Sequence, residues 1–107
     1  MVGQAAALAR LGRALADPTR VQLLMALRDA PGYPADLAER LAITRQKLSN
    51  HLTVLRSSGL VTFVPEGRRS RYRLAVPAVA DAVAALLDTL LDLDIGRGSS
   101  PSSRLDP

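Results

Sequence analysis

A chain of 107 residues without a cysteine has room for one domain and none for a disulfide or a thiolate-bound metal. Apolar residues make up 48% of it but aromatics only 3%, so Leu, Ala and Val must build the core, a composition that favours helices. The net charge of +4 is unevenly spread: residues 45–73 hold seven bases against Glu66 alone, and residues 75–95 hold four acids and no base. One stretch therefore suits a polyanion and the next repels it. The N-terminus lacks a basic segment followed by an unbroken apolar run, and no apolar run approaches the ~20 residues that span a bilayer. The expectation is a soluble, cytoplasmic protein.

In chain order, Leu8, Leu11 and Leu15 recur at helical spacing and predict a first helix over Ala5–Ala16. Asp17-Pro18 punctuates it, an N-cap followed by the residue favoured at the first helical position. The second helix shows Val21, Leu24, Met25 and Leu27 as its apolar face and stops at Asp29-Ala-Pro-Gly32. Pro34 opens a short third helix to Leu41. After Ala42-Ile43, Thr44 caps a fourth helix from Arg45 to about Ser57, with Leu48, Leu52 and Leu55 on one side. Gly59 suits the left-handed position that ends it.

The period then changes. Leu60–Val64 and Ser70–Leu74 read as strands joined by a turn at Pro65–Arg68. Pro77 starts a last helix to about Asp94. From residue 96 the chain is rich in Gly, Ser and Pro, so 1–95 is expected to be the folded domain and 96–107 a disordered tail. The order α-α-α-α-β-β-α, mainly helical with a hairpin, describes a helix-turn-helix with a β-wing.

A helix that reads DNA needs an apolar back and short or planar polar groups in its first turns. The fourth helix has both. Thr44 offers a hydroxyl or amide to a phosphate, and Arg45, Gln46, Lys47, Ser49 and Asn50 offer groups that pair with base edges, the carboxamides with adenine and the bases with guanine. Arg68, Arg69 and Arg71 at the hairpin suit phosphates or a narrow minor groove. His51, the one histidine, reads as a half-buried hydrogen-bonding residue, because no second His or Cys exists to complete a metal site. No nucleophile–base set and no Gly-rich phosphate cradle point to an enzyme. The rival reading is a winged-helix docking or dimerisation module without operator binding, which has no need of three arginines beside Lys47.

Ala7–Arg20 (ALARLGRALADPTR), Leu37–Leu41 (LAERL), Ser49–Leu52 (SNHL), Leu55–Val61 (LRSSGLV) and Glu66–Tyr72 (EGRRSRY) together resemble the ArsR/SmtB family of bacterial winged-helix repressors. Within it they are most similar to the CmtR-like, cadmium- and lead-sensing branch. The resemblance implies a homodimer formed by the first and last helices, a palindromic operator and release by an effector. Leu8, Leu11, Val83, Leu86, Leu87 and Leu90 are the expected interface residues, the last helix being apolar over a wider stripe than one small domain covers. A two-fold dimer sets its recognition helices about one DNA turn, ~34 Å, apart.

The sensing residues of that branch do not carry over. Where it holds two thiolates one turn apart on the recognition helix, this chain has Val54 and Ser58. Where arsenic-sensing members hold cysteines, it has Tyr33 and Ala35. The zinc-type pattern of the last helix falls on Asp81, Val83, Asp94 and Arg97, which leaves two carboxylates and no imidazole. No metal and no cofactor are expected. The open accounts are a different effector, operator binding without one, or replacement of native cysteines at Val54 and Ser58.

Overall fold

Each boundary in the fold has a local cause. In the computed structural model residues 2–98 are described, with side-chain surroundings for residues 3–93. The elements are α1 (Val2–Ala14), α2 (Pro18–Asp29), α3 (Pro34–Leu41), α4 (Arg45–Ser57), β1 (Val61–Glu66), β2 (Arg69–Leu74) and α5 (Pro77–Gly98). That is the expected winged helix-turn-helix order. Asp17 Oδ1 accepts the Thr19 amide at 2.7 Å, satisfying one of the free N–H groups at the start of α2.

The link between α3 and α4 is a tight left-handed turn. Ala42 sits at φ 57°, which lets the Ile43 amide reach the Ala38 carbonyl and the Ala42 amide reach that of Glu39. This is a Schellman closure with alanine where glycine is usual. A second one ends α4: Gly59 takes φ 78°, Leu60 N–H bonds Leu55 O at 3.0 Å and Gly59 N–H bonds Arg56 O at 2.9 Å. That turn carries Leu60 into the core beside Leu55.

The core lies between α2 and α4 and is closed by α3, the base of the hairpin and the start of α5. Leu23, Leu24, Leu48 and Leu55 are fully buried, each contributing on the order of 2 kcal/mol. The buried set of α2 is Leu23, Leu24, Ala26 and Leu27, while Val21 and Met25 stay half-exposed. The single-stripe expectation misses Leu23 because α2 is the central helix, packed by α3, α4, α5 and β2.

The hairpin pairs Val61 with Leu74 through to Glu66 with Arg69. Its strands are longer than expected and its turn is only Gly67-Arg68. Gly67 has φ 61° and Arg68 is not left-handed, the pattern of a type II′ turn matched to strand twist. Gly32 and Tyr72 exchange both backbone hydrogen bonds, at 2.9 and 2.7 Å, so the loop before α3 holds the inner edge of β2. Pro65 is tolerated because β1 is the outer edge.

Three expectations need correcting. α1 begins at Val2 and ends at Ala14 rather than spanning Ala5–Ala16. α5 runs through Gly98, past Asp94, so residues 96–98 are helical; 99–107 lie outside the described residues. Val83 does not belong to an outer face: α5 buries Ala80 and Val83, and Val83 is 5% exposed within the protomer. Leu8, Leu86 and Leu90 are exposed as expected, joined by Leu91 and Leu93, whereas Leu11 and Leu87 are half-buried. Among the described residues no helix is long and apolar enough to cross a membrane.

Candidate nucleic-acid interface

Leu48, Leu52 and Leu55 recur at i, i+4 and i+7, so burying them fixes which side of α4 faces water. Arg45, Gln46, Lys47, Ser49, Asn50 and Thr53 are exposed. Thr44 Oγ1 accepts the Lys47 amide at 3.1 Å, so the hydroxyl oxygen expected to meet a phosphate is engaged as the cap, with its own O–H still free to donate. Gln46 Nε2 donates to Asn50 Oδ1 at 3.1 Å. The two carboxamides therefore present themselves as a pair, with Gln46 Oε1 and Asn50 Nδ2 turned outward as acceptor and donor. That bond uses one N–H of Gln46 and one lone pair of Asn50, leaving each carboxamide an N–H and an oxygen lone pair to pair with adenine.

The wing arginines divide. Arg68 shares a cleft of about 270 Å³ with Arg45, so the hairpin turn and the first residue of α4 place two guanidinium groups, unpaired with any carboxylate among the described residues, on one side of the protomer. Arg71 lines a neighbouring cleft of about 290 Å³ with Asp36 and Arg40. Arg69 is placed differently from its neighbours. Its guanidinium stacks 3.5 Å from the centre of the Tyr33 ring and lies 3.6 Å from Asp36 Oδ2, which ties the wing to α3 while the side chain stays more than half exposed. The Tyr33 hydroxyl donates to Glu66 Oε1 at 2.5 Å, a bond that favours the neutral phenol and holds its pKa above the usual value. The only acid of the basic stretch is thus occupied within the fold.

Sequence reasoning passed over two residues that set this geometry. Tyr33, just ahead of Pro34, is the platform for Arg69; an aromatic at the N-cap position of α3 was the available signal. Arg20 donates from Nε to Ala14 O at 2.6 Å and from Nη2 to Arg13 O at 3.0 Å, capping the C-terminus of α1. Its Nη1 lies 3.4 Å from His51 Nδ1. Arginine only donates, so a hydrogen bond across this contact has Nδ1 as its acceptor. The two matching segments around Arg20 and His51 therefore meet in space and tie α1, α2 and α4 together. Tyr72 stacks on Phe63, with ring centres 5.3 Å apart, and Arg56 covers the Phe63 ring at 4.6 Å.

Residues 17–62 match the profile of the bacterial regulatory proteins of the arsR family. The HTH-type transcriptional regulator CmtR of Mycobacterium bovis is 52% identical over 88 residues, covering 82% of this chain and 75% of that protein. The NMR structure of the cadmium metal-sensor CmtR from Mycobacterium tuberculosis superposes with a TM-score of 0.66 at 52% identity, over 78% of this chain and 86% of that one. The homodimeric winged helix-turn-helix DNA-binding domain of another M. bovis protein gives 0.76 at 31% identity, over 88% and 86%.

The residues present do not fit a soft metal such as cadmium. There is no thiolate in the chain, Val54 offers methyl groups, and the Ser58 hydroxyl donates to Val54 O. Among the described residues no three His, Cys, Asp or Glu side chains are grouped to hold a metal. The matched proteins are regulators of transcription and not enzymes. By identity over most of its length, the chain belongs to the ArsR family of bacterial regulatory proteins.

Proposed function

We infer that this protein is a cytoplasmic transcriptional repressor that binds a palindromic operator as a homodimer and is released by an effector. The observation that carries the reading is the meeting of Arg45 and Arg68 beside the exposed polar face of α4. In this reading Gln46, Lys47, Ser49 and Asn50 enter the major groove, Thr44 and Arg45 meet the phosphate at the helix start, and Arg68 and Arg71 follow the flanking backbone. Arg69 supports the wing from behind until DNA competes for it. Dimerisation is supported by the exposed leucines of α1 and α5 and by the homodimeric M. bovis domain.

The test is fluorescence anisotropy on duplexes from the gene's own promoter, titrated with salt. Replacing both Arg68 and Arg71 with Ala is expected to lower the salt slope by about 2 with little change in sequence preference. Gln46→Ala or Asn50→Ala is expected to cost about 1–3 kcal/mol on the operator and nothing on random duplex. Salt-insensitive binding, or none, sinks the operator reading and returns the domain to a protein-docking role.

A further inference from the structure

A groove of about 450 Å³ opens between α1 and α4, on the side of α4 away from the wing cleft. Its walls carry Arg10 and Arg13 from α1, Arg20 from α2, and Ser57 and Ser58 from the end of α4, with Val54 among them. No acidic residue lines it. Among the described residues none of the three arginines has a carboxylate within salt-bridge distance, the observed pairs being those of Arg28, Arg40 and Arg69.

The helix carbonyls around the groove are already bonded, those of α1 by Arg20 itself. At the end of α1, Arg20 takes Ala14 O and Arg13 O. At the end of α4, Val54 O, Leu55 O and Arg56 O accept the amides of Ser58, Leu60 and Gly59. Arg20 is thus held on the end of α1, and Arg10 and Arg13 bring two further guanidinium groups, without a carboxylate partner among the described residues, to the same concavity. An anion seated among them would be held by charge-assisted bonds, and Val54 and Ala14 supply apolar wall for the rest of a small molecule. The volume lies in the range of small-molecule sites.

We propose that the α1–α4 groove is an effector site for a small organic anion, a carboxylate or phosphate group on a compact apolar body, gripped by Arg10, Arg13 and Arg20. Its consequence for DNA rests on the operator reading above; binding itself does not. The link to DNA is Arg20, whose Nη1 reaches His51, the neighbour of Asn50 on α4. An anion that draws Arg20 into the groove loosens that tie and lets α4 shift, so occupancy lowers operator affinity.

Benzoate, phenyl phosphate and neutral benzamide, at matched ionic strength, are the probes for calorimetry and amide NMR on the dimer. Benzoate or phenyl phosphate is expected to bind, moving the amides of residues 53–58, while benzamide does not. Arg10→Ala combined with Arg13→Ala, both exposed and outside the DNA face, is expected to weaken that binding at least tenfold with an unchanged fold. Failure of both anions to bind, equal binding of benzamide, or unchanged affinity in the double variant overturns the site. So does binding to a dissociated protomer but not to the dimer, which would show the groove to be filled by the second subunit. With the site filled, the operator Kd should rise at least fivefold; an unchanged Kd overturns the effector role. Absence of operator binding in ligand-free protein would instead refute the DNA reading and leave the anion site standing on its own binding data.

Discussion

All the leucines of α2, α3 and α4 except the half-buried Leu41 leave water almost completely, at 0–4% exposure for Leu23, Leu24, Leu27, Leu37, Leu48, Leu52 and Leu55, whereas those on the outer sides of α1 and α5 remain in it, from 53% at Leu93 to 69% at Leu8. Composition does not separate the two regions, since both are built of Leu and Ala at helical spacing. Neighbours do. α2 is packed on several sides within the protomer, while α5 meets α2, with Arg28 bonded to Asp81, buries Ala80 and Val83 and then runs on, with Leu86, Leu90 and Leu93 at i, i+4 and i+7. A row of leucines kept half or more exposed is a face awaiting a partner. The inner helices complete a fold, and the outer pair is completed by assembly.

The strongest way to break that contrast is Leu86→Glu with Leu90→Glu. Both side chains face water in the protomer, so circular dichroism and the melting curve of the folded unit should change little. Sedimentation should show a monomer, and operator affinity should fall ~10²-fold or more as the linked half-sites are lost. A dimer that survives both charges would move the interface elsewhere. The matching change inside is Leu48→Ala, at a residue with no exposed surface. It is expected to cost about 2–5 kcal/mol in urea unfolding, with operator affinity of the folded fraction nearly intact. Equal losses from the inner and outer substitutions would erase the distinction.

The sequence made the boundaries legible because each is chemically local: Asp17-Pro18, Pro34, Thr44 and Gly59 act on amides and carbonyls a few residues away. The exposed polar side of α4 followed from three leucines in register. What escaped depends on groups far apart in the chain. Leu23 is buried because α2 is surrounded, Val83 because α5 meets α2, and Arg69 is diverted by Tyr33 and Asp36, more than thirty residues earlier. Arg20 reads as one more base until its donors are seen on the carbonyls of Arg13 and Ala14. The Tyr33–Glu66 bond was invisible for the same reason.

A smaller effect tests the turn that orients the inner region. Ala42 holds φ 57° without being glycine, a conformation that disfavours residues with a Cβ by about 1–2 kcal/mol. Ala42→Gly relieves that strain, partly offset by the greater freedom of glycine in the unfolded chain. The expected net gain is roughly 0.5–1 kcal/mol in urea unfolding, with the α3–α4 geometry and operator affinity unchanged. A destabilised variant would mean that the Ala42 methyl is held by packing outside the turn itself.

The least change is expected at the joint between the two regions, where Asp17 starts α2 directly after α1. The Thr19 amide that it accepts, with lesser help from the positive charge of nearby side chains, holds its carboxyl below the ordinary value of 3.8. A carboxyl whose folded pKa is depressed contributes stability above its unfolded pKa and loses it as pH falls through the folded one. Asp17→Ala should therefore melt at a lower temperature than the native protein near neutral pH, and the gap should narrow as the solution is taken below the ordinary carboxyl value of 3.8. Asp17→Asn keeps the acceptor without the titration, so it should stay close to the native melting temperature at neutral pH and lose less on acidification. An alanine gap of the same size at both ends of that range would mean that Asp17 acts through packing at the α1–α2 joint and not through its charge. The cap would then belong to the outer region, whose attachment to the core rests on Ala14 and the Arg20 bridge.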